Sequence, residues 1–279
     1  MKITSSVYNL KQLNKVLSYC DAVILNTKEL SLIYDDLDLS KAISLCKNNN
    51  VLPIIAFNKM IYPYEFENYR DVFEKYKEEL FLITDIGLFE FAKDLGVKFI
   101  YNPETMIANY LDLEMLKPYF EALSYSNEVP FSNVIESYRK TNAKLFYLIF
   151  GHKMMFYSKR HLIDLYEKHS NIKIENRNLY IRELTRDDYF PIVENDNGTM
   201  IYRSYLISYL DVLDDVLEYG YLESLFMDFD LYLKVLKIYN SYNKKEINKD
   251  EAIAKINELN LNILDGFKYV DSVYQKEEF

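Results

Sequence analysis

The sequence predicts an α/β protein: a closed (β/α)8, TIM-barrel-like cylinder with a β-hairpin excursion before the last barrel strand and a helical C-terminal extension. Short flat runs of Val, Ile, Leu and Phe recur along the chain, without the polar–apolar alternation of a half-exposed strand. Strands covered on both faces read this way. Between them lie amphipathic stretches of helical period, and strand–helix–strand repetition generates a parallel sheet. Eight such runs within about 230 residues suit a closed barrel better than an open doubly wound sheet.

The eight runs are 2–5, 22–25, 51–57, 80–84, 98–101, 121–125, 144–150 and 222–227. Helical patterns fill the gaps at 10–18, 40–48, 65–79, 87–95, 113–119 and 131–141, with Ser40 and Ser132 placed to cap two of them. The rhythm breaks once, between Phe150 and Leu222. There Asp196-Asn197-Gly198 separates two apolar runs, and Asn-Gly in that setting marks a tight hairpin with positive φ at both turn residues. Segment 178–204 is therefore expected as an antiparallel insertion into a barrel domain of residues 1–230. Asn197-Gly198-Thr199 is also a glycosylation sequon, but the turn reading is preferred without a secretory signal. From 231 the pattern is helical (231–242, 249–257), predicting an extension, 231–279, packed on the barrel.

Composition sets the function classes. With 49% hydrophobic and 27% charged residues the chain can bury a core, and 6 Gly and 6 Pro exclude a collagen-like or linker chain. The net charge of −10, from 33 Lys+Arg against 43 Asp+Glu, argues against indiscriminate nucleic-acid binding, which needs clustered cations. The balance reverses in 152–177, where six cations face three anions and all three histidines (His152, His161, His169) fall. That stretch is either a local anion site or a solvated helix face. No run approaches the ~18 apolar residues of a membrane span, and no signal-peptide core is visible, so a cytoplasmic protein with no membrane partner is expected. Cys20 and Cys46 form no Cys-x-x-Cys pair and read as buried thiols.

In a parallel barrel the residues just past each strand's C-terminal end share one mouth. Here those positions are polar in turn: Asn26, Asn58, Asp85, Asn102 with Glu104, Ser124 with Ser126 and Glu128, His152, and Asp228. Glu128 and His152 make a candidate catalytic acid/base pair, because adjacent strands place them within reach of one ligand. The competing reading pairs Glu128 with Arg160 and has His152 donating to a backbone carbonyl. Asp85-Ile86-Gly87 also reads as a helix start. No His-x-x-His, His-Glu-x-x-His or acidic cluster suggests a metal, and neither a Gly-x-Ser-x-Gly elbow nor a Gly-rich phosphate loop is present.

Phe150-Gly151-His152, then Tyr157-Ser158-Lys159-Arg160 and Leu165-Tyr166, resembles the U32 peptidase family, with its aliphatic strand, Tyr-Ser-x-Arg element and long basic helix. Further segments match in order: Asp21-Ala22-Val23-Ile24-Leu25, the strand ending in Asn58, Ile83-Thr84-Asp85-Ile86-Gly87, 102–109 and Ser126-Asn127-Glu128. Arg186-Asp187-Asp188-Tyr189-Phe190-Pro191-Ile192 with Gly198-Thr199 resembles the family's Arg-x-x-Tyr-x-Pro … Gly-Thr hairpin, and Gly266-Phe267 through Val273-Tyr274 resembles the close of its short members. One departure matters for chemistry. Long members place a cysteine directly after Ser-x-Arg and more downstream, some to hold an iron–sulfur cluster; here that position is His161 and the downstream segment has no cysteine.

The resemblance is thus to the short, cysteine-poor branch, and it implies no cofactor bound through cysteine. It also implies two activities, collagenase-like proteolysis or prephenate-dependent hydroxylation of RNA, notably the tRNA wobble uridine. No protease nucleophile or metal site can be assembled from the residues, so hydroxylation is the preferred expectation. Prephenate is the expected co-substrate, and the expected partners are tRNA and, in a hetero-oligomer, a longer cysteine-bearing U32 paralogue. Proteolysis and a non-catalytic scaffold are the alternatives. Arg160 and Lys159 would contact phosphate or carboxylate, Arg bidentately, and Tyr157 and Tyr189 would stack a base or pack at the rim. Asn58, Asp85, Asn102 and Asp228 complete the expected ligand-binding set. The geometric expectation is that Asn58, Glu128, His152 and Arg160 surround one hollow.

Overall fold

A computed structural model describes residues 1–175, 178–185 and 187–270. Seven parallel strands follow one another in space as in sequence: β1 (Lys2–Val7), β2 (Ala22–Leu25), β3 (Leu52–Phe57), β4 (Leu80–Ile83), β5 (Lys98–Tyr101), β6 (Ala122–Ser124) and β7 (Leu145–Gly151). Between them run α1 (Leu10–Val16), α2 (Leu39–Asn48), α3 (Arg70–Lys75), α4 (Ile86–Ala92), α5 (Tyr110–Leu116) and α6 (Phe131–Thr141).

The chain then leaves the cylinder. β8 (Met154–Ser158), α7 (Leu162–Ser170), β9 (Asn178–Ile181), β10 (Phe190–Asn195) and β11 (Gly198–Tyr202) form a separate antiparallel sheet in the order β8-β11-β10-β9, with α7 attached. Short β12 (Ile207–Ser208) pairs antiparallel with the end of β7, and β13 (Leu217–Leu222) returns to pair in parallel with both β7 and β1. The β6–β7 pairing closes the barrel at eight parallel strands. Two further helices, α8 (Phe229–Asn243) and α9 (Lys249–Asn257), follow the barrel, and the described chain continues beyond them to residue 270.

The flat apolar runs have a direct cause. In β2, Ala22 and Ile24 join Ile54, Ala56, Leu82 and Phe146 in the barrel interior, whereas Val23 and Leu25 pack outward with the helices. Both parities are buried, so alternation is lost. The outer layer is aromatic: Phe73 of α3 lies 5.7, 5.0 and 6.0 Å from the rings of Phe57, Phe81 and Phe99. Each such buried side chain contributes about 1.5–3 kcal/mol relative to exposure.

Several boundaries differ from expectation, each for a local reason. The last barrel strand is Leu217–Leu222, not 222–227, because Tyr219 to Leu222 register against Lys2 to Ser5. Gly220, which resembles a breaker, is a packing residue: Met1 Sδ and Ile149 Cδ1 lie 2.5 and 2.8 Å from where its Cβ would stand. The antiparallel excursion begins at Met154, ahead of 178, since β8 is its edge strand. In the hairpin the turn residues are Asp196 and Asn197, with Asn195 paired to Gly198, and positive φ (+114°) falls on Gly198 alone of the three. Asp38, not Ser40, caps α2 by accepting from the Lys41 N–H at 3.0 Å. Pro130 precedes α6 and leaves Ser132 inside the helix, where a fixed φ rather than a side-chain cap starts the turn. Arg186 and Val273-Tyr274 of the family-like segments lie outside the described residues.

The small sheet covers the barrel mouth. Its inner face places Met200 and Tyr202 against Leu32, with Ile33, Met154, Tyr157, Val193 and Leu225 around them. Its outer face carries α7, whose first N–H groups are satisfied by the sheet: Leu162 donates to Thr199 Oγ1 at 2.9 Å and Ile163 to Glu194 at 2.8 Å. Those donors would otherwise be orphans at the helix start.

Candidate active site

A cavity of about 80 Å³ lies at the C-terminal end of the strands, between the barrel and the antiparallel sheet. Its floor is the top of the interior layer, Ile24, Leu82, Phe146 and Leu148. Above the floor stand Asn26, Asn58, Thr84, Asn102 and Ser124, each at or just beyond a strand end. The far wall is Glu223 with Tyr8 and Tyr221, and Glu104, His152, Lys153, Met154 and Tyr202 come from the loops and the covering sheet.

Glu223 organises one side. It is 6% exposed and accepts from Ser6 Oγ (2.6 Å), Tyr8 OH (2.8 Å) and the backbone N–H groups of Ser224 (2.7 Å) and Leu225 (3.1 Å). The Tyr221 hydroxyl donates to its second oxygen. Five donors and no acceptor are what a buried carboxylate requires. Burial, and then the Glu223 charge, push the phenols of Tyr8, Tyr202 and Tyr221 well above their ordinary value, so they stay neutral hydroxyls. Gly151 closes the contact between β7 and Glu223: its φ is +133° and a Cβ would meet Glu223 Cβ at 2.7 Å.

On the other side Lys153 (4% exposed) forms an ion pair with Glu104, whose own backbone is left-handed (φ +65°). Asn102 Nδ2 donates to the same Glu104 at 3.2 Å. The His152 ring lies 2.8 Å from the Arg203 carbonyl through Nδ1 and packs edge-on against Phe226. A carbonyl only accepts, so Nδ1 carries the proton and Nε2 is left as an acceptor. Burial lowers the His152 pKa below the ordinary 6.5, and the Arg203 carbonyl offsets this only in part.

The sequence-expected residues separate. Asn58, Asn102 and His152 line the cavity. Glu128, Asp85, Tyr157, Lys159, Arg160, Tyr189 and Asp228 do not line it. The Glu128 carboxylate is held by Arg203 Nη2 at 3.2 and 3.3 Å, so the cation is Arg203 and not Arg160. Arg203 thereby serves both members of the expected pair, its carbonyl taking His152 and its guanidinium taking Glu128. Asp85 caps α4, accepting from Gly87 N–H (2.9 Å), and also accepts from Ile61 N–H (3.1 Å). Lys159 pairs with Glu65 at 3.0 Å over the Tyr62 ring, pinning the 3₁₀ segment Pro63–Tyr69.

The Tyr157 hydroxyl donates to the Asn197 carbonyl at 3.2 Å. Arg160 is exposed, and its carbonyl oxygen lies 2.8 Å from Thr199 Oγ1. Tyr189, 55% exposed, sits beside Arg182. Asp228 is an exposed cap of α8, accepting from Leu231 N–H at 2.9 Å. Asn58 and His152 therefore share the hollow, and Glu128 and Arg160 stand outside it.

Glu223, Lys153, Tyr8, Tyr202 and Tyr221 were not singled out from the sequence. Glu223 directly follows β13 and becomes visible once that strand is set at Leu217–Leu222. Tyr8 follows β1 in the same way. Lys153 is the first cation of the basic stretch and reads there as one surface charge among six.

Among the described residues, His161, Asp164 and Glu194 bring possible metal-ligating atoms within 4.8 Å of one another. The Glu194 oxygens already accept from Ile163 N–H, Asp164 N–H and Thr199 Oγ1, so this group caps α7. The thiols do not suit a cysteine-held iron–sulfur cluster, which takes about four thiolates. Cys20 and Cys46 are buried free thiols ahead of β2 and β3, at the end opposite the mouth, and burial pushes Cys46 up to about 12. No described helix is long and apolar enough to cross a membrane.

Comparison with known proteins places this geometry. "tRNA hydroxylation protein P2" of Bacillus subtilis (strain 168) is 26% identical over 171 residues, 53% of this chain and 55% of that protein. The chain thus spans about half the length of the curated relative it matches. Among solved structures, "The Structure of the U32 Peptidase Mk0906" describes a chain similar in fold, with a TM-score of 0.53 over 80% of this chain and 92% of that one at 9% identity. A sequence model described as "Peptidase family U32" matches residues 9–262, from the first barrel helix through the last described helix. Since that span takes in nearly all of the cylinder and the sheet over its mouth, the chain belongs to peptidase family U32.

Proposed function

We propose that this U32 protein takes part in prephenate-dependent hydroxylation of the tRNA wobble uridine, together with a longer, cysteine-bearing U32 paralogue. The observation that carries the reading is the chemistry of the mouth, taken with a relative named for tRNA hydroxylation. The mouth is a cavity of carboxamides and neutral hydroxyls around one tied carboxylate and one ion pair. Such a lining recognises polar rings by hydrogen bonds. It is poorly suited to peptide cleavage by a serine: Ser124, a cavity serine, has a buried Oγ without a hydrogen-bond partner, and Ser126 Oγ is taken by the Glu128 N–H at 3.0 Å. A nucleophilic hydroxyl needs a base within hydrogen-bond reach. Arg160, exposed on the covering element, is the cation offered to RNA phosphate.

Deleting the gene and measuring tRNA nucleosides by mass spectrometry tests the proposal. Nucleosides derived from 5-hydroxyuridine at the wobble position are expected to disappear and to return with the wild-type gene but not with His152→Ala. Unchanged nucleosides in the deletion strain, or cleavage of gelatin by the purified chain that His152→Ala abolishes, would overturn it in favour of the peptidase reading. Full complementation by His152→Ala combined with Arg160→Ala would support a scaffold.

A further inference from the structure

The cavity carries a formal charge of −1 when its lining is read group by group. Glu104 and Glu223 oppose Lys153, and His152 is neutral at pH 7 because burial disfavours its cation. The Lys153 ammonium is already paired with Glu104, so an incoming anion meets a neutralised pair rather than a lone cation. The cationic side chains expected to contact a carboxylate or phosphate, Lys159 and Arg160, stand outside the lining.

The carboxamides fix the polarity of what remains. Asn26 Nδ2 donates to the Val7 carbonyl at 3.1 Å, which leaves Asn26 Oδ1 as an open acceptor. Asn102 Nδ2 is held by Glu104, which leaves Asn102 Oδ1 in the same condition. Asn58 is anchored the other way: its Oδ1 accepts from the Leu32 N–H at 2.9 Å, so Nδ2 is an open donor. Among the described residues none of these open ends has a partner. Ser124, 5% exposed, adds a buried hydroxyl with no partner at all. An orphaned buried hydroxyl is destabilising, and a ligand that completes it relieves the penalty. Each carboxamide NH2 carries two N–H groups, so the open ends include donors as well as acceptors, while negative charge outnumbers positive; the complement is a neutral ring with both donors and acceptors of its own.

We propose that the mouth is a subsite for an uncharged ring of the nucleobase class that both donates and accepts hydrogen bonds, and that it turns carboxylates away. This deepens the tRNA reading and rests on it for the identity of the ring. The consequence is a division of labour in which a dicarboxylate co-substrate is held outside this mouth. Each carboxylate brought in would face the Glu104 and Glu223 charges in a site of low dielectric, where like charges repel far more strongly than in water.

The test is an NMR titration of the purified full chain, following amide shifts of mouth residues, with uridine and prephenate added separately. Saturable shifts are expected with uridine, and binding of prephenate about tenfold weaker or less, as one close like charge imposes at moderate effective dielectric. Ser124→Ala is expected to weaken uridine binding severalfold while leaving the urea midpoint equal or higher, because the removed hydroxyl has no protein partner. Glu104→Gln, which releases the Lys153 ammonium, is expected to narrow the preference by admitting prephenate. Prephenate binding at the mouth as tightly as uridine, no saturable uridine shifts at all, or an unaffected Ser124→Ala variant would each overturn the proposal. Nucleoside analysis fails or succeeds separately: lost hydroxylation without uridine binding sinks only this subsite, and unchanged nucleosides with uridine binding sink only the tRNA role.

Discussion

Five donors converge on Glu223, and replacing one carboxylate oxygen by an amide turns an acceptor into a donor that faces the Tyr221 hydroxyl. Glu223→Gln is expected to lose about 2 kcal/mol of stability, the scale of losing charge-assisted hydrogen bonds at a buried site, with urea denaturation as the measurement. His152 makes a prediction in pH. Its folded pKa is depressed below the ordinary 6.5, so below that value the unfolded chain takes up more protons than the folded one. Its stabilising contribution is complete above about pH 6.5 and is lost as the pH falls through the folded pKa. The wild type should therefore lose more stability than His152→Gln between pH 7.5 and 5.5, and parallel losses in the two proteins would contradict the assignment.

At the scale of elements, the covering sheet depends on Gly198. Its φ of +114° suits glycine, and a Cβ there would overlap the Ser158 carbonyl oxygen and crowd Lys159 Cα at 2.7 Å. Gly198→Ala should cost about 2–3 kcal/mol of local strain and raise hydrogen exchange in β8 and β11 while the barrel amides stay protected. The same turn shows what the sequence could and could not reveal. The dipeptide Asn197-Gly198 located the hairpin correctly but assigned the turn one residue too far along, because the glycine is needed for close approach to β8 and β8 itself was not foreseen. Met154–Ser158 has exposed Met155 and Phe156 beside half-buried Tyr157, an irregular edge-strand pattern with no clean period. Glu223 was lost for a related reason. Gly220 interrupts the apolar run of Leu217–Leu222, whereas an expected strand at 222–227 puts Asp228, an exposed helix cap, just past its end.

At the scale of the whole molecule the barrel was legible, since two-sided burial writes itself into flat apolar runs, whereas the tail's grip on it was not. Lys268, 4% exposed, donates to both oxygens of Asp211 at 2.8 Å and to the Ser208 carbonyl at 3.0 Å, and pairs with Asp265 at 2.9 Å. Its own carbonyl accepts from the Phe131 N–H at 3.0 Å, an orphan donor at the start of α6. One residue near the end of the described chain thus ties the segment after β12 to a helix of the cylinder, beside the Leu206–Ile263 bridge. Nothing in the local sequence marks such a lysine, because Asp211 and Ser208 are 57 and 60 positions away and the neighbouring Asp265 alone reads as an ordinary i,i+3 pair. Burial works against the Lys268 charge, yet Asp211 and Asp265 outweigh it and raise the pKa, while Lys268 and Tyr269 hold Asp211 below its ordinary value despite its own burial.

Lys268→Met strands the Asp211 carboxylate, and because Asp211 is about a third exposed the loss is expected at about 2 kcal/mol rather than the 3–5 of a fully buried pair. The sign in pH follows from both partners. Asp211 supplies its part above its ordinary 3.8 and loses it as the pH falls through the lower folded pKa. Lys268 supplies its part below its ordinary 10.5 and loses it as the pH rises through the higher folded pKa. The gap between wild type and Lys268→Met in urea should therefore be widest near neutrality and shrink towards strong acid or base. A gap that stays constant across that range would mean that packing of the lysine stem, not its charge, fastens the extension to the barrel.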